Sequence, residues 1–170
     1  MIDMWKEVDR LGFRVVFKNH DMVKECIACY NVIMHGKRIR AASWLDIPEG
    51  EIWISELYRD FADYILFHEL QEIKYRASGY APERAHLLAL KDEYRVFKGD
   101  PKWEKLKREI NVCPIEVLLN LPGIGRKLAI RIMENRPYSS LGDLKKLRGI
   151  GERRYSIIER ELWCIEDEVL

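Results

Sequence analysis

The spacing of hydrophobic and polar residues predicts one short helix and several strands in the first third of the chain. Residues 2–11 place apolar side chains at helical intervals, whereas residues 13–17 alternate between apolar and polar positions as a strand does. Two β-prone runs then flank His35-Gly36-Lys37, which is typical of a hairpin turn. The predicted strands are residues 13–17, 29–34, 38–45 and 51–55.

Longer helical segments follow the last of these strands. Residues 57–78 have helical periodicity that ends at Gly79, and Pro82 suits the first turn of a second helix running to about Phe97. A charged helix is then predicted over residues 102–110.

The pattern changes near Asn111, where short helices joined by Gly-x-Gly sequences begin. We therefore predict an α+β domain over residues 1–110, built from a small antiparallel sheet and long helices. An all-α domain is predicted to follow over residues 111–170.

Composition places the chain among globular proteins, because its 170 residues are 48% hydrophobic and can bury a core. No run approaches the ~20 apolar residues of a membrane span, and residues 1–17 lack the apolar stretch of a signal peptide. We expect a cytoplasmic protein without a membrane partner. A single glutamine beside 34% charged residues is a bias found in proteins of thermophiles.

Charge is unevenly distributed although the net charge is only +1. Acids and bases nearly cancel up to residue 110, whereas bases outnumber acids over residues 111–165. The last third is therefore the part of the chain suited to a polyanionic partner.

Cys26 and Cys29 form a CxxC sequence, and no second CxxC is present to complete a zinc ribbon. The favoured interpretation is two small side chains packed near a strand. A redox or metal-binding role is the alternative.

A repeat provides the strongest functional signal. Residues 121–129, Leu-Pro-Gly-Ile-Gly-Arg-Lys-Leu-Ala, are echoed 26 positions later by residues 147–155, Leu-Arg-Gly-Ile-Gly-Glu-Arg-Arg-Tyr. An apolar helical segment precedes and follows each copy. The unit is therefore a helix, a glycine hairpin and a second helix.

Each hairpin has the chemistry of an anion site. Glycines allow the backbone to approach a ligand closely, and the second helix begins with unpaired amides at the positive end of its dipole. Positive side chains in that first turn are unfavourable for the helix itself, which indicates an external anion. The bases in question are Arg126, Lys127, Arg153 and Arg154.

This segment resembles the helix-hairpin-helix superfamily of DNA repair and DNA uptake proteins, in its tandem form. The resemblance implies binding to the DNA backbone without sequence specificity. Ala129 matches the small residue usual after the hairpin, whereas Tyr155 departs from it. Contacts with protein, or with RNA, remain alternatives. The implied DNA-binding residues are Gly123, Ile124, Gly125, Arg126, Lys127, Gly149, Ile150, Gly151, Arg153 and Arg154.

A polar cluster is expected in the first domain. His68, Glu69 and Glu72 fall within the apolar arc of the helix over residues 57–78, where unpaired carboxylates need a cation, a partner or a cleft. His68 and Glu72 are four residues apart and project together, and His86 on the next helix can complete a three-ligand set. Glu69 is the candidate general base of a zinc-dependent hydrolytic site.

His68-Glu69-Leu70-Gln71-Glu72 after a strand resembles the zincin metallopeptidases. Zincins usually carry histidine where this chain has Glu72, and often an acidic ligand where it has His86, so the ligand types are exchanged. The alternatives are a purely structural set of ion pairs and, less favoured, a carboxylate-bridged di-iron site, which needs two Glu-x-x-His sequences.

Two functions follow from these readings. The first is a DNA-tethered, zinc-dependent, protease-like hydrolase that acts on DNA-associated proteins. The second is a DNA-binding repair or adaptor protein whose first domain has no catalytic activity. Because both functions fit the sequence, it leaves enzymatic activity open. A nuclease is disfavoured because no cluster of acidic residues suits Mg²⁺.

Overall fold

The computed structural model describes residues 3–169, which divide into two compact units, an N-terminal unit that ends at Lys98 and a C-terminal unit that begins at Gly99. The division lies before the boundary at residue 110 that the sequence favoured. Residues 108–110 belong with the C-terminal unit because the Ile110 amide donates to the Trp163 carbonyl, and the Trp163 amide donates to the Arg108 carbonyl. None of the described helices is long and apolar enough to span a membrane.

The N-terminal unit contains a four-stranded sheet and four α-helices. The elements in chain order are α1 (Met4–Arg10), β1 (Arg14–Lys18), α2 (His20–Val23), β2 (Ala28–Met34), β3 (Lys37–Arg40), β4 (Glu51–Ser55), a 3-10 helix (Glu56–Phe61), α3 (Ala62–Ala77) and α4 (Pro82–Phe97). The predicted α+β class is confirmed. The first predicted helix began at Ile2, which lies outside the described residues.

The sheet has the strand order β1-β4-β2-β3 and is mixed, not purely antiparallel. β2 pairs antiparallel with β3 and β4, but β1 pairs parallel with β4. Between β1 and β4 the chain passes through α2, β2 and β3. This connection is long enough for β4 to lie beside β1 and run in the same direction. Every residue of β4 is buried because this strand lies between two others.

Local chemistry sets several element ends. His35 and Gly36 both have positive φ, which is the geometry of a tight hairpin turn. The strand predicted over residues 38–45 ends at Arg40, because Ala42 turns the chain with a positive φ and accepts a hydrogen bond from the Leu45 amide. Pro82 occupies the first turn of α4, as expected.

The C-terminal unit is helical, as predicted. Its elements are α5 (Pro101–Leu106), α6 (Ile115–Leu119), α7 (Arg126–Glu134), a 3-10 helix (Leu141–Lys146), α8 (Glu152–Glu161) and a last 3-10 turn (Ile165–Glu168). α5 is shorter than the predicted helix over residues 102–110, because the buried Glu109 carboxylate accepts hydrogen bonds from the Asn111 and Ile165 amides. Leu118, Ile132, Leu144 and Ile158 are fully buried in its core.

Candidate nucleic-acid interface and candidate metal centre

Two backbone turns with matching conformations connect helices in the C-terminal unit. The first joins α6 to α7, and the second joins the 3-10 helix Leu141–Lys146 to α8. The leading glycines, Gly123 and Gly149, have φ values of 80° and 99°, which glycine adopts without strain. The second glycines, Gly125 and Gly151, have extended backbones and are the N-caps of α7 and α8.

The starts of α7 and α8 present amide groups without protein partners. No side chain caps either helix, and within residues 3–169 the amides of Gly125, Arg126, Gly151 and Glu152 have no hydrogen-bond acceptor. A Cβ atom placed on Gly125 or Gly151 would meet nothing within 4 Å. Both helix starts are therefore open to an anion, which amide hydrogens and the helix dipole attract.

Three of the four predicted basic residues are exposed and unpaired. Arg126, Lys127 and Arg153 lie in the first turns of α7 and α8 and form no ion pair in the described part of the chain. Their charges are available to a partner because no acid of the same unit neutralises them.

The fourth base, Arg154, is engaged within the unit. Its Nε donates to the Gly123 carbonyl and its Nη1 donates to the Gly149 carbonyl, both at 2.8 Å. Arg131 of α7 makes a second link, because its Nη1 donates to the Arg148 carbonyl at 2.6 Å. Each hairpin is thus tied to the other by an arginine.

The two isoleucines of the hairpins face inward. Ile124 and Ile150 are buried, and their amides donate to the carbonyls of Leu121 and Leu147 within the turns. They shape the hairpins and hold them on the core, whereas the neighbouring glycines face outward.

The second hairpin differs from the first in charge and packing. Glu152 stands where the first copy has Arg126, so the second helix start carries less positive charge. Tyr155 replaces the buried Ala129, is half-buried, and lies under the Lys145 ammonium at 4.4 Å from the ring centre. A cavity of about 500 Å³ between the hairpins is lined by Pro122, Gly123, Gly151, Arg153, Arg154 and Ile157.

In the N-terminal unit, α3 and α4 bring the three predicted metal ligands together. His68 Nε2 lies 3.1 Å from His86 Nδ1 and 3.3 Å from Glu72 Oε2, and the last two atoms are 3.1 Å apart. His68 and Glu72 are one turn apart on α3, so they share a face. These separations approach the edge of ~3.4 Å of a tetrahedron whose corners lie ~2.1 Å from a zinc ion.

His68 and Glu72 each have a second polar side-chain atom, which faces away from the three-ligand set and contacts another residue. His68 Nδ1 lies 2.8 Å from Glu93 Oε2, so its N–H can donate to that carboxylate and leave Nε2 as a lone-pair donor. The Tyr30 hydroxyl donates to Glu72 Oε1 at 2.6 Å and itself accepts a hydrogen bond from Arg76 at 2.8 Å. The remaining atoms of His68 and Glu72 therefore converge on one point with His86.

The side chains of this cluster strongly shift one another's pKa values. Burial by itself would lower the pKa of His68, but hydrogen bonds to Glu72 and Glu93 more than offset it and raise the pKa to about 10. Burial would likewise raise the pKa of Glu72, but hydrogen bonds from His68, His86 and Tyr30 hold that pKa well below its usual range. The cluster thus already holds a positive charge between carboxylates.

Glu69 lies beside the ligand set and has no hydrogen-bond partner among the described residues. Burial, followed by repulsion from Glu72, raises the pKa of the Glu69 carboxyl. The positive charge of His68 opposes this rise but does not cancel it. Glu69 is therefore the carboxylate of this cluster left unengaged by hydrogen bonds.

Sequence reasoning missed two contributors to this cluster. Glu93 lies seven residues after His86, a spacing that places both on one face of α4, so helical periodicity could have found it. Tyr30 lies on β2, and the sequence holds no signal that it reaches Glu72.

The comparisons with known proteins bear on the C-terminal unit. No curated protein and no solved structure matches the chain. Residues 107–162 match a family model described as helix-hairpin-helix motif, and this segment includes both glycine turns. The C-terminal unit therefore carries a helix-hairpin-helix motif, and this motif supports DNA as its binding partner.

Proposed function

We propose that the C-terminal unit binds the phosphate backbone of DNA through its two glycine turns acting as a pair, without reading base sequence. The observation that carries this proposal is the open start of α7 and α8, where unpaired amides lie beside exposed basic side chains. Phosphate oxygens accept hydrogen bonds from such amides, and the bases neutralise phosphate charge. Contacts of this kind position a protein on a duplex and carry little sequence information.

The test uses the variant Gly125→Val plus Gly151→Val. Neither glycine has a positive φ, and both have open space around the Cβ position, so the fold should survive while the new side chains block phosphate. We expect retention of a labelled duplex in low salt to be lost, as measured by fluorescence anisotropy. Gly142→Ala is the control, because this glycine lies in the same unit outside both turns. Unchanged affinity in a folded double variant would exclude the hairpin amides as the binding site.

We further propose that His68, Glu72 and His86 of the N-terminal unit hold a zinc ion. Support comes from the spacing of the three ligand atoms and from the hydrogen bonds that orient His68 and Glu72. A divalent cation would take the place of the proton shared by His68 and Glu72, and would compensate the nearby carboxylates. Two imidazoles and one carboxylate with an open fourth position form a donor set found in catalytic zinc sites.

The chemistry of such a site is hydrolysis. Bound zinc would supply polarisation of a substrate carbonyl and acidification of water. Glu69 is the carboxylate left to accept a proton from the attacking water and return it to the leaving amine. We propose a peptide bond of a DNA-associated protein as the substrate, with the C-terminal unit holding the enzyme on DNA. The alternative is a DNA repair or adaptor protein in which this cluster is a structural ion-pair network.

Metal analysis of protein purified without added zinc separates these possibilities. We expect about one zinc per chain, and we expect His86→Ala to lose it. This substitution should leave the fold intact because the His86 side chain is 52% exposed. His68→Ala should lose zinc as well. His35→Asn is the matched control, because His35 lies in a hairpin turn with a positive φ that asparagine tolerates. Zinc-free wild-type protein that also fails to take up added zinc would favour the adaptor.

Glu69→Gln tests the hydrolase separately from metal binding. This variant should retain zinc but lose at least about a hundredfold in cleavage of fluorescent casein in the presence of duplex DNA, because general-base catalysis contributes ~10²-fold or more. Glu83→Gln, which makes the same change at an exposed residue of α4, is the control. Undiminished cleavage by Glu69→Gln would remove Glu69 from the proposed role.

A further inference from the structure

Two cysteines outside the proposed ligand set lie next to one another at the start of β2. Cys29 is fully buried in a small cluster with Val23, Ile47 and Trp53, and Cys26 packs on the edge of that cluster. Both are free thiols. The Cys26 thiol donates a hydrogen bond to the Val23 carbonyl at 3.4 Å. The proposed hydrolysis uses neither sulfur atom.

The backbone between the two cysteines has an unusual conformation. Ile27 has a φ of 64°, in the left-handed region that β-branched residues seldom enter. A residue in this conformation is strained and persists only where its surroundings hold it. Here the Ile27 amide donates to the Val23 carbonyl at 2.7 Å, and the Ile27 carbonyl accepts from the Ser55 amide at 2.8 Å. The resulting curl places Cys26 and Cys29 side by side.

The two sulfur atoms differ in access and in acidity. Cys26 is half-buried and therefore reachable from solvent, whereas Cys29 has no exposed surface. The hydrogen bond from the Cys29 thiol is the main cause that lowers the pKa of Cys26, and the same bond is the main cause that raises the pKa of Cys29. An accessible thiol of lowered pKa beside a buried second thiol is the arrangement that favours thiol–disulfide exchange.

We propose that Cys26 and Cys29 are a redox-active dithiol that low-molecular-weight disulfides convert reversibly into an intramolecular disulfide. Cys26 is the attacking sulfur and Cys29 the resolving sulfur. This inference does not depend on DNA binding or on zinc.

The reaction balances with oxidised glutathione as the oxidant. The Cys26 thiolate attacks one glutathione sulfur, a mixed disulfide forms, and the first glutathione leaves as a thiolate that takes up a proton. Cys29 then loses its proton, its sulfur attacks Cys26, and the second glutathione leaves. Two electrons pass from the cysteine pair to glutathione, so one protein disulfide and two glutathione thiols are formed.

The chain provides its own controls for the experiment. Cys113 and Cys164 are buried single thiols of the C-terminal unit, and burial is the main cause that raises the pKa of each. The full-length protein is equilibrated with oxidised and reduced glutathione, alkylated with N-ethylmaleimide, unfolded, and analysed by intact mass and peptide mapping. We expect a loss of two hydrogens confined to the peptide that holds Cys26 and Cys29. Reduced protein should be alkylated at Cys26 at least about tenfold faster than at Cys113.

Single variants distinguish the two sulfur atoms. Cys29→Ala should accumulate the mixed disulfide at Cys26, because no second thiol resolves it, whereas native Cys26→Ala should leave Cys29 unmodified. If either variant fails to fold, the peptide map of the wild-type protein still shows whether Cys26 and Cys29 form a disulfide. Four unmodified thiols in oxidised glutathione, or oxidation of Cys113 and Cys164 at the same rate, would overturn the proposal.

Discussion

Glu93 shapes the candidate metal centre without being one of its ligands. Its carboxylate is buried and lies 2.8 Å from His68 Nδ1, so it holds the proton of that nitrogen and would leave Nε2 to a metal ion that displaces the second proton. Tyr30 acts in the same way on Glu72, because its hydroxyl occupies Oε1 and leaves Oε2 facing His68 and His86. At the residue scale, the direction of each donor atom depends on partners that are distant in the sequence.

A change at Glu93 should therefore weaken metal binding while the three ligands remain. We expect Glu93→Gln to bind zinc ~10–100-fold more weakly, the range found when the carboxylate partner of a ligating histidine is altered. Competition with a chromophoric chelator measures the affinity.

Asp92→Asn serves as the control for that measurement. Asp92 is the buried neighbour of Glu93 on α4, but it accepts hydrogen bonds from Gln71 and Tyr75 and not from His68. Equal loss of affinity in both variants would mean that the effect comes from disturbing α4 and not from His68 orientation.

At the scale of elements, the helix-hairpin-helix unit is held together by more than its hydrophobic core. Arg154 of α8 bonds to both hairpins, and Arg131 of α7 bonds to the second. Because a duplex presents phosphates at set distances, two amide sites bind together only if the spacing between the hairpins is correct. In the proposed interface, we therefore expect Arg154 to act mainly by positioning the two hairpins.

Arg154→Ala should lower affinity for duplex DNA by about tenfold. Two hydrogen bonds contribute ~0.5–1.5 kcal/mol each, and ~1.4 kcal/mol corresponds to a tenfold change in binding. Arg154→Lys keeps the charge but cannot span both carbonyls, so it should not restore full affinity. Anisotropy titration compares these with Arg160→Ala, an exposed base near the end of the same helix. Wild-type affinity in Arg154→Ala would show that core packing alone sets the hairpin spacing.

The whole molecule carries a net charge of +1, so long-range attraction to DNA is weak. In the proposed interface, binding is therefore expected to depend on the exposed, unpaired bases in the first turns of α7 and α8, which are Arg126, Lys127 and Arg153. Affinity that depends on released counterions falls steeply as salt increases.

We expect the logarithm of the association constant to fall with the logarithm of salt concentration with a slope of about −3, for three phosphates neutralised at ~0.9 each. Lys127→Ala should reduce the magnitude of this slope by about one. Lys91→Ala, which removes an exposed base of α4, should leave it unchanged. A slope near zero for the wild-type chain would contradict backbone binding.

Several parts of this architecture follow from local sequence alone. Glu51–Ser55 and Pro82–Phe97 form the predicted strand and helix because an apolar run and an N-terminal proline act over a few residues. The strand predicted past Arg40 and the helix predicted past Leu106 end early. There, a turn at Ala42 and the contacts of Glu109 with distant amides override the local preference.

The sequence by itself determined the repeated glycine turns, the bases beside them and the pairing of His68 with Glu72, because each depends on spacing within one or two neighbouring elements. Only the tertiary structure decided that β1 lies parallel to β4, that His86 reaches the pair on α3, and that Arg154 bonds to both hairpins. Periodicity states which face of a helix a residue occupies. The distance between two faces is set by how the elements pack, and that packing depends on the whole core at once.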